Sequence, residues 1–331
     1  MNEVIVLILT FLTGLAVTYL ITPRIAELFK KYNILGVDVH KLEQPKIPEM
    51  CGVSIIAGLV VAVTISSILV PVYVNKFITF LAVTILACII GIIDDIKTLG
   101  PKVKPFLTAL ACTPILLLGV YDPHPILPII GRVRLTIVYP LLIPFAISIP
   151  ANSVNMMDVL NGAMAGTSAV TVFFMSICAV MLGRWETVIL CGGLLGSLIA
   201  FYRYNRCPAQ VFSGDSGSLA VGAAIGALAI LGGLEIVGVI ALMPQIMNSF
   251  YNLSSIGRLY EHREISQRPV KLLKDGRLSA SDNSSAPLTL TRMVLADGPM
   301  KEKDIVKVFL LLSVFAGSLS FITTLLMVLR I

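Results

Sequence analysis

Charge is what this sequence has least of. Asp, Glu, Lys and Arg make up only 13% of its 331 residues, against 56% hydrophobic residues and a mean hydropathy of +0.92. So few charges cannot cover the surface of a water-soluble domain of this length, which excludes soluble enzymes and disordered chains and leaves a polytopic membrane protein. Histidine is nearly missing too, with three residues, and the six cysteines (Cys51, Cys88, Cys112, Cys178, Cys191 and Cys207) show neither Cys-x-x-Cys pairing nor metal-ligand spacing. That excludes zinc and dithiol chemistry and leaves the cysteines as small apolar packing residues. A basic segment ahead of the first apolar run is also lacking, since Met1-Asn2-Glu3 carries none. The first helix is therefore expected to stay in the mature protein.

What the chain does have is apolar length. A hydrocarbon core of about 30 Å needs about 20 apolar residues per helix. Ten segments are expected to span: Val4–Leu28, Gly52–Val70, Phe77–Ile93, Val103–Val120, Thr136–Pro150, Leu160–Leu182, Trp185–Tyr202, Ser216–Gly232, Leu234–Ile256 and Ile305–Leu329. Ten spans leave both termini on one side. One set of joining segments (24–48, 94–104, 151–162, 203–215 and 257–307) carries 20 of the 25 Lys and Arg. By the positive-inside rule this set is cytoplasmic and both termini are outside. The net charge of +6 is then a topological signal and gives no reason to invoke nucleic acid. The expected fold is an all-α polytopic membrane protein of about ten helices, a single integral domain over residues 1–331. A small β-containing cytoplasmic loop, 257–304, precedes the last helix.

Every unusual polar cluster falls on that cytoplasmic side. Asp94-Asp95 ends an apolar run and is followed by Lys97, Lys102 and Lys104; Asn152, Asn155 and Asp158 recur every three residues near a helix end; Gly214-Asp215-Ser216-Gly217 opens the next helix. Ionised carboxylates are costly inside a bilayer but tolerable at a helix mouth facing water, a cation or a headgroup. Three-residue spacing directs Asn152, Asn155 and Asp158 to one face, and Gly214 lets backbone approach a phosphate beside free helix N–H groups. Carboxylate and amide oxygens are hard ligands that suit Mg²⁺ better than zinc. Each cluster has a plainer reading: Asp94-Asp95 as solvated loop residues, the Asn ladder as helix glue, Asp215 or Ser216 as a helix cap, and His262, Arg263 and Arg268 as surface or headgroup contacts. Their joint placement on one face favours a shared site.

Four ordered patterns carry a resemblance: Lys46-Ile47-Pro48-Glu49-x-x-Gly52, Gly91-x-x-Asp94-Asp95 with Lys104, Asn152-x-x-Asn155-x-x-Asp158 with Asn161-Gly162, and Val211-Phe212-x-Gly214-Asp215-x-Gly217-Ser218. Over essentially its whole length the chain resembles the polyprenyl-phosphate N-acetylhexosamine-1-phosphate transferases. The resemblance implies transfer of a sugar phosphate, GlcNAc-1-phosphate by branch, from a UDP-sugar to polyprenyl or dolichyl phosphate with release of UMP. It implies Mg²⁺, or Mn²⁺, held by Asn155 and Asp215, with Asp94 and Asp95 as catalytic residues that orient or deprotonate the lipid phosphate. It further implies substrate binding by Lys46, Glu49, Lys104, Asn152, Asp158, Gly214, His262, Arg263 and Arg268. The peptidoglycan branch carries a histidine-rich run before the last helix, whereas this chain has Glu261-His262-Arg263 and Arg268, so the dolichyl-phosphate branch, archaeal members included, is the nearer match.

Asp275-Gly276 predicts a hairpin turn, and Leu288-Thr289-Leu290 a further strand, in a small lobe serving as a lid or a mere connection. The outer segment Tyr121 to Leu135 reads as a small turn or hairpin, with a strand-like run over Arg132–Val138. Pro244 should break or bend its span and open a membrane-facing groove for the lipid acceptor. Gly192, Gly193, Gly196, Gly222 and Gly226 permit close helix contact, within the chain or in a homodimer. An ion-coupled transporter is the alternative from another class, but its ionisable residues would sit near mid-membrane in repeated halves. A CDP-alcohol phosphotransferase would need a multi-aspartate signature that is absent.

Overall fold

The computed structural model describes residues 2–256, 268–283 and 285–329. Its helices are α1 (Glu3–Lys31), α2 (Val53–Leu69), α3 (Val74–Lys97), α4 (Val103–Leu110), α5 (Thr113–Leu118), α6 (Val138–Met157), α7 (Ala163–Met181), α8 (Trp185–Asn205), α9 (Gly214–Gly232), α10 (Glu235–Ala241), α11 (Met243–Ile256), α12 (Leu290–Val294) and α13 (Glu302–Val328). Three antiparallel two-stranded ribbons interrupt them: β1 (Leu35–Val37) with β2 (Lys46–Pro48), β3 (Ile126–Leu127) with β4 (Gly131–Arg132), and β5 (Val270–Leu272) with β6 (Leu278–Ala280).

Among the described residues seven helices are long and apolar enough to cross a bilayer, or eight if the bent pair α10–α11 is one span. The expected count of ten is therefore not reached by length. Of the remaining expected spans, one is α2, whose 17 residues rise only about 25 Å. The other is divided into α4 and α5, which part at Ala111 and Cys112 just ahead of Pro114. Pro244 does mark a break: α10 and α11 meet at 66°.

Helix α9 is the axis of the fold, buried at every residue from Ser216 to Gly232 and flanked by α3 and α6. Its small residues make this possible. A Cβ at Gly222 would lie 2.3 Å from the Pro150 carbonyl, and one at Gly226 2.3 Å from that of Ala146, so α6 crosses almost in backbone contact. Gly196 does the same for α8 against Phe11 of α1, 2.2 Å away, and Gly192 meets Leu7. The five glycines that the sequence singles out thus serve contacts inside the chain. Hydroxyls add to the seam between α1 and α2, where Thr10 meets Ser66 at 2.5 Å and Thr22 donates to Ser54 at 2.9 Å.

Gly91 brings α3 against the first turn of α9, where a Cβ would fall 2.3 Å from the Asp215 carbonyl oxygen and 2.5 Å from Ser216 Cα. Backbone cannot yield as a side chain can. Gly91→Val is therefore expected to destabilise the protein by about 1–3 kcal/mol, read as a lowered thermal midpoint in detergent. Gly100→Ala, whose nearest neighbour is 3.9 Å away, should leave the midpoint unchanged.

Two expectations about loops need correction. Leu288–Leu290 is not a strand: the Thr289 hydroxyl accepts the Arg292 N–H at 3.1 Å and caps α12. The hairpin at Asp275-Gly276 does form, between β5 and β6, with Gly276 in the left-handed region. In the outer segment the expected hairpin is β3–β4, but residues beyond Arg132 do not continue as a strand and Val138 begins α6.

Candidate functional site

One cavity of about 830 Å³ gathers side chains from all five of the segments predicted to share a face, including Asp38 and Glu49, Asp94 and Asp95, Asn155 and Asp158, Asp215, and Arg268. The helix order explains the convergence, because the chain returns to the same end of the bundle after each pair of spans.

The ends of α3, α4, α6 and α9 are joined there by a hydrogen-bond network. Asp94, buried at the last turn of α3, accepts the Leu99 N–H at 2.5 Å, which folds the α3–α4 turn back onto the helix. Its other oxygen lies 2.6 Å from the Lys104 ammonium of α4, which also donates to Asp215 at 2.8 Å. Asn155 of α6 donates to Asp215 at 2.5 Å and to Ser218 at 2.8 Å. One lysine thus bridges two carboxylates, and Asp215 is held from three helices.

Asp95 does something different. Its two oxygens accept the backbone N–H groups of Asp215 at 2.8 Å and Ser216 at 2.9 Å, the first free donors of α9. Ser213, at the position where a cap would be sought, gives its hydroxyl to Asp158 instead and makes no side-chain cap bond. The plain reading of Gly214-Asp215-Ser216 as a self-capped helix start is replaced by a cap reaching over from α3. Gly214 is required at this junction, with φ +68 and a Cβ position only 2.8 Å from Asp95 Oδ2.

The Asn ladder does not present one face. Three helical residues turn the side chain by about 300°, so six turn it by about 120° in all, and the helix ends at Met157. Asn155 and Asp158 line the cavity, while Asn152 does not: its amide donates to Thr108 at 2.9 Å and to the Ser148 carbonyl at 2.8 Å, joining α4 to α6. Lys46 is exposed on β2 and likewise lies outside the lining, whereas Glu49, Lys104, Gly214 and Arg268 belong to it. His262 and Arg263 lie outside the described residues. Residues that the sequence did not single out also line the cavity, among them Asn205, Ser213, Asn248 and Asn252. An amide within an apolar span was the available signal for Asn248 and Asn252.

The charges of the cavity would suit a cation. Burial pushes the Asp158 carboxyl up to about 7; the Ser213 hydroxyl bond opposes this, and the charges of Asp215, Asp95 and Glu49 add to it. Six carboxylates around one lysine and one arginine leave an excess of acidic groups whose charge a bound divalent cation would relieve. Among the described residues no three His, Cys, Asp or Glu side chains form a ready-made metal cluster. Mg²⁺ does not need one, since it is commonly held by one or two carboxylates together with water and substrate phosphates. The hard oxygen donors of Asp215 and Asn155 fit that mode.

Comparison with known proteins gives concordant matches. Residues 77–233, from α3 to the end of α9, match the model of glycosyl transferase family 4. A protein of Saccharolobus solfataricus, provisionally named a UDP-N-acetylglucosamine–dolichyl-phosphate N-acetylglucosaminephosphotransferase, is 27% identical over 83% of this chain and 90% of its own length. A Sulfolobus acidocaldarius protein with the same provisional name is 28% identical over 68% of this chain and 71% of its own. The phospho-N-acetylmuramoyl-pentapeptide-transferase of Caldicellulosiruptor bescii is 28% identical over 74% and 82%. The matched segment holds Asp94, Asp95, Lys104, Asn155 and Asp215, the residues that the fold brings into one network, and over that segment the chain is similar to glycosyl transferase family 4.

Proposed function

We propose that this protein transfers N-acetylhexosamine-1-phosphate, with GlcNAc as the sugar, from a UDP-sugar to polyprenyl or dolichyl phosphate at the cytoplasmic membrane face. The observation that carries this reading is the network in which Asp94, Lys104, Asn155 and Asp215, from four helices, meet in one acidic cavity. The names of the archaeal relatives support both substrates. The excess of basic residues in the loops around the cavity supports the cytoplasmic assignment.

In this reaction an oxygen of the lipid phosphate attacks the β-phosphorus of the donor. The bond to the α-phosphate breaks, and UMP leaves. Bound Mg²⁺, held by Asp215 and Asn155, would neutralise charge on the pyrophosphate, the main demand of phosphoryl transfer. Lys104 carries the positive charge able to meet a phosphate oxygen, and its two carboxylate partners fix where that charge stands. Asp94 orients Lys104 and the α3–α4 turn. The acceptor itself needs little help from a base, since a phosphate monoester with a second pKa of about 6 is mostly dianionic at pH 7.

The bend between α10 and α11 opens an apolar cavity of about 220 Å³ against α6 and α9, lined by Phe145, Ile149, Ile225, Val239, Leu242 and Ile246. Its chemistry suits a stretch of isoprenoid tail. A donor labelled with ³²P at the β-phosphate tests the reaction type: label should move into the organic phase with the lipid. Label remaining in water as UDP would mean transfer of the sugar alone and would overturn the proposal.

A further inference from the structure

A second polar network lies beside the same cavity, and nothing in the transfer step uses it. At its centre is Glu302, the first residue of α13, only 4% exposed and absent from the cavity wall. One of its oxygens accepts the Asn161 backbone N–H at 2.8 Å. The other takes the Lys41 ammonium and the Cys207 thiol, the latter at 3.5 Å. Lys41 belongs to the turn between β1 and β2, whose neighbours Asp38 and His40 line the cavity; Asn161 lines it from the start of α7. Asp38, itself buried, closes the circuit by accepting from the Asn161 amide at 2.8 Å. Asn205 pins the same corner from α8, accepting the Gly162 N–H at 3.2 Å.

A single carboxylate thus holds two walls of the cavity, the β1–β2 turn through one oxygen and the α7 entrance through the other. Burying a carboxylate and pairing it with one lysine gives little net stability, because desolvation offsets the attraction, but removing one partner is costly and shifts whatever the pair positioned. Burial pulls the Lys41 ammonium down, yet its bond to Glu302 and the carboxylate charge outweigh this and hold it above its ordinary value, so the ammonium stays charged at neutral pH. Among the hydrogen bonds of the described residues none links this network to the one around Asp215, which makes the two separable by mutation.

We infer that Glu302 is a positioning residue for the nucleotide-sugar: by fixing Asn161 and the Lys41 turn at a set separation, it shapes the part of the cavity that receives the donor away from the reacting phosphates. This rests on the proposed transfer from a UDP-sugar. Glu302 touches no substrate, and acts through Asn161, Asp38 and His40.

Steady-state kinetics of the full-length protein in detergent, varying UDP-GlcNAc and dolichyl phosphate separately, test the inference. Glu302→Ala loses both contacts and is expected to raise KM for UDP-GlcNAc about tenfold, with kcat within about threefold and KM for the lipid unchanged. Glu302→Gln keeps an oxygen for the Asn161 N–H but loses the ion pair, as Lys41→Met does, and each should raise donor KM about threefold. The double variant should be no worse than either, because both remove one contact. Equilibrium binding of UDP to the same proteins should follow donor KM, and the conservative Gln variant covers the case in which Ala prevents folding. Unchanged donor KM, an equal rise for both substrates, or a loss confined to kcat would overturn the inference. If the wild-type protein turns over no UDP-sugar, the proposed function fails and the inference with it; turnover with unaltered Glu302 variants would sink the inference alone.

Discussion

Asp215→Asn should reduce turnover by at least about 10²–10³-fold, the range found when one preorganised charged or polar group is withdrawn from a charge-developing reaction. The expectation follows from how many parts of the site meet on this carboxylate. Lys104 donates to one oxygen at 2.8 Å and Asn155 to the other at 2.5 Å, and the helix N-terminus that carries it is locked to α3. An amide keeps the shape but removes the charge that balances Lys104 and that a divalent ion would need. The check is twofold: UMP release in the presence of Mg²⁺, and Mn²⁺ binding followed by electron paramagnetic resonance. Wild-type protein should bind the ion and the variant should not, whereas a variant that binds Mn²⁺ as well as wild type would remove Asp215 from the metal site.

Asp95→Asn is expected to be nearly as damaging, for a different reason. Both Asp95 oxygens receive N–H groups of α9, so the variant must turn an NH₂ group towards one of those donors. Leaving a buried donor unpaired costs about 1–3 kcal/mol, and the first turn of α9, with Asp215 on it, would shift. Turnover should fall by about 100-fold, since small displacements at a reacting centre have effects of that size. The thermal midpoint separates positioning from general-base chemistry: with Asp95 as a cap, the variant's midpoint in detergent should fall together with its turnover. The same loss of turnover at an unchanged midpoint would instead identify Asp95 as the base.

Asp94 and Asp95 illustrate what could be read from the chain and what could not. Their place at a helix mouth followed from an apolar run that stops at Ile93 and from the cost of charge in a bilayer. That Asp94 faces a lysine while Asp95 faces backbone depends on helix rotation and on Gly91 bringing α3 against α9, which no local pattern encodes. Asn152 misled for a related reason: spacing by three implies a common face only over short distances, and the drift of the helix turned it towards Thr108. Loop charge and apolar length located the side of the bundle where five segments meet. The division of the span after Val103 was visible only as Pro114, and the contacts of Glu302 with Lys41 and Asn161 bridge positions so far apart in the chain that only the fold brings them together.

The measurement that tests the account most directly is UMP release by the purified protein given UDP-GlcNAc, dolichyl phosphate and Mg²⁺, alongside Asp215→Ala and a chelated control. Metal-dependent UMP formation that disappears in the variant is the expected result. A well-folded protein that forms no UMP across a panel of UDP-sugars and lipid phosphates would contradict it.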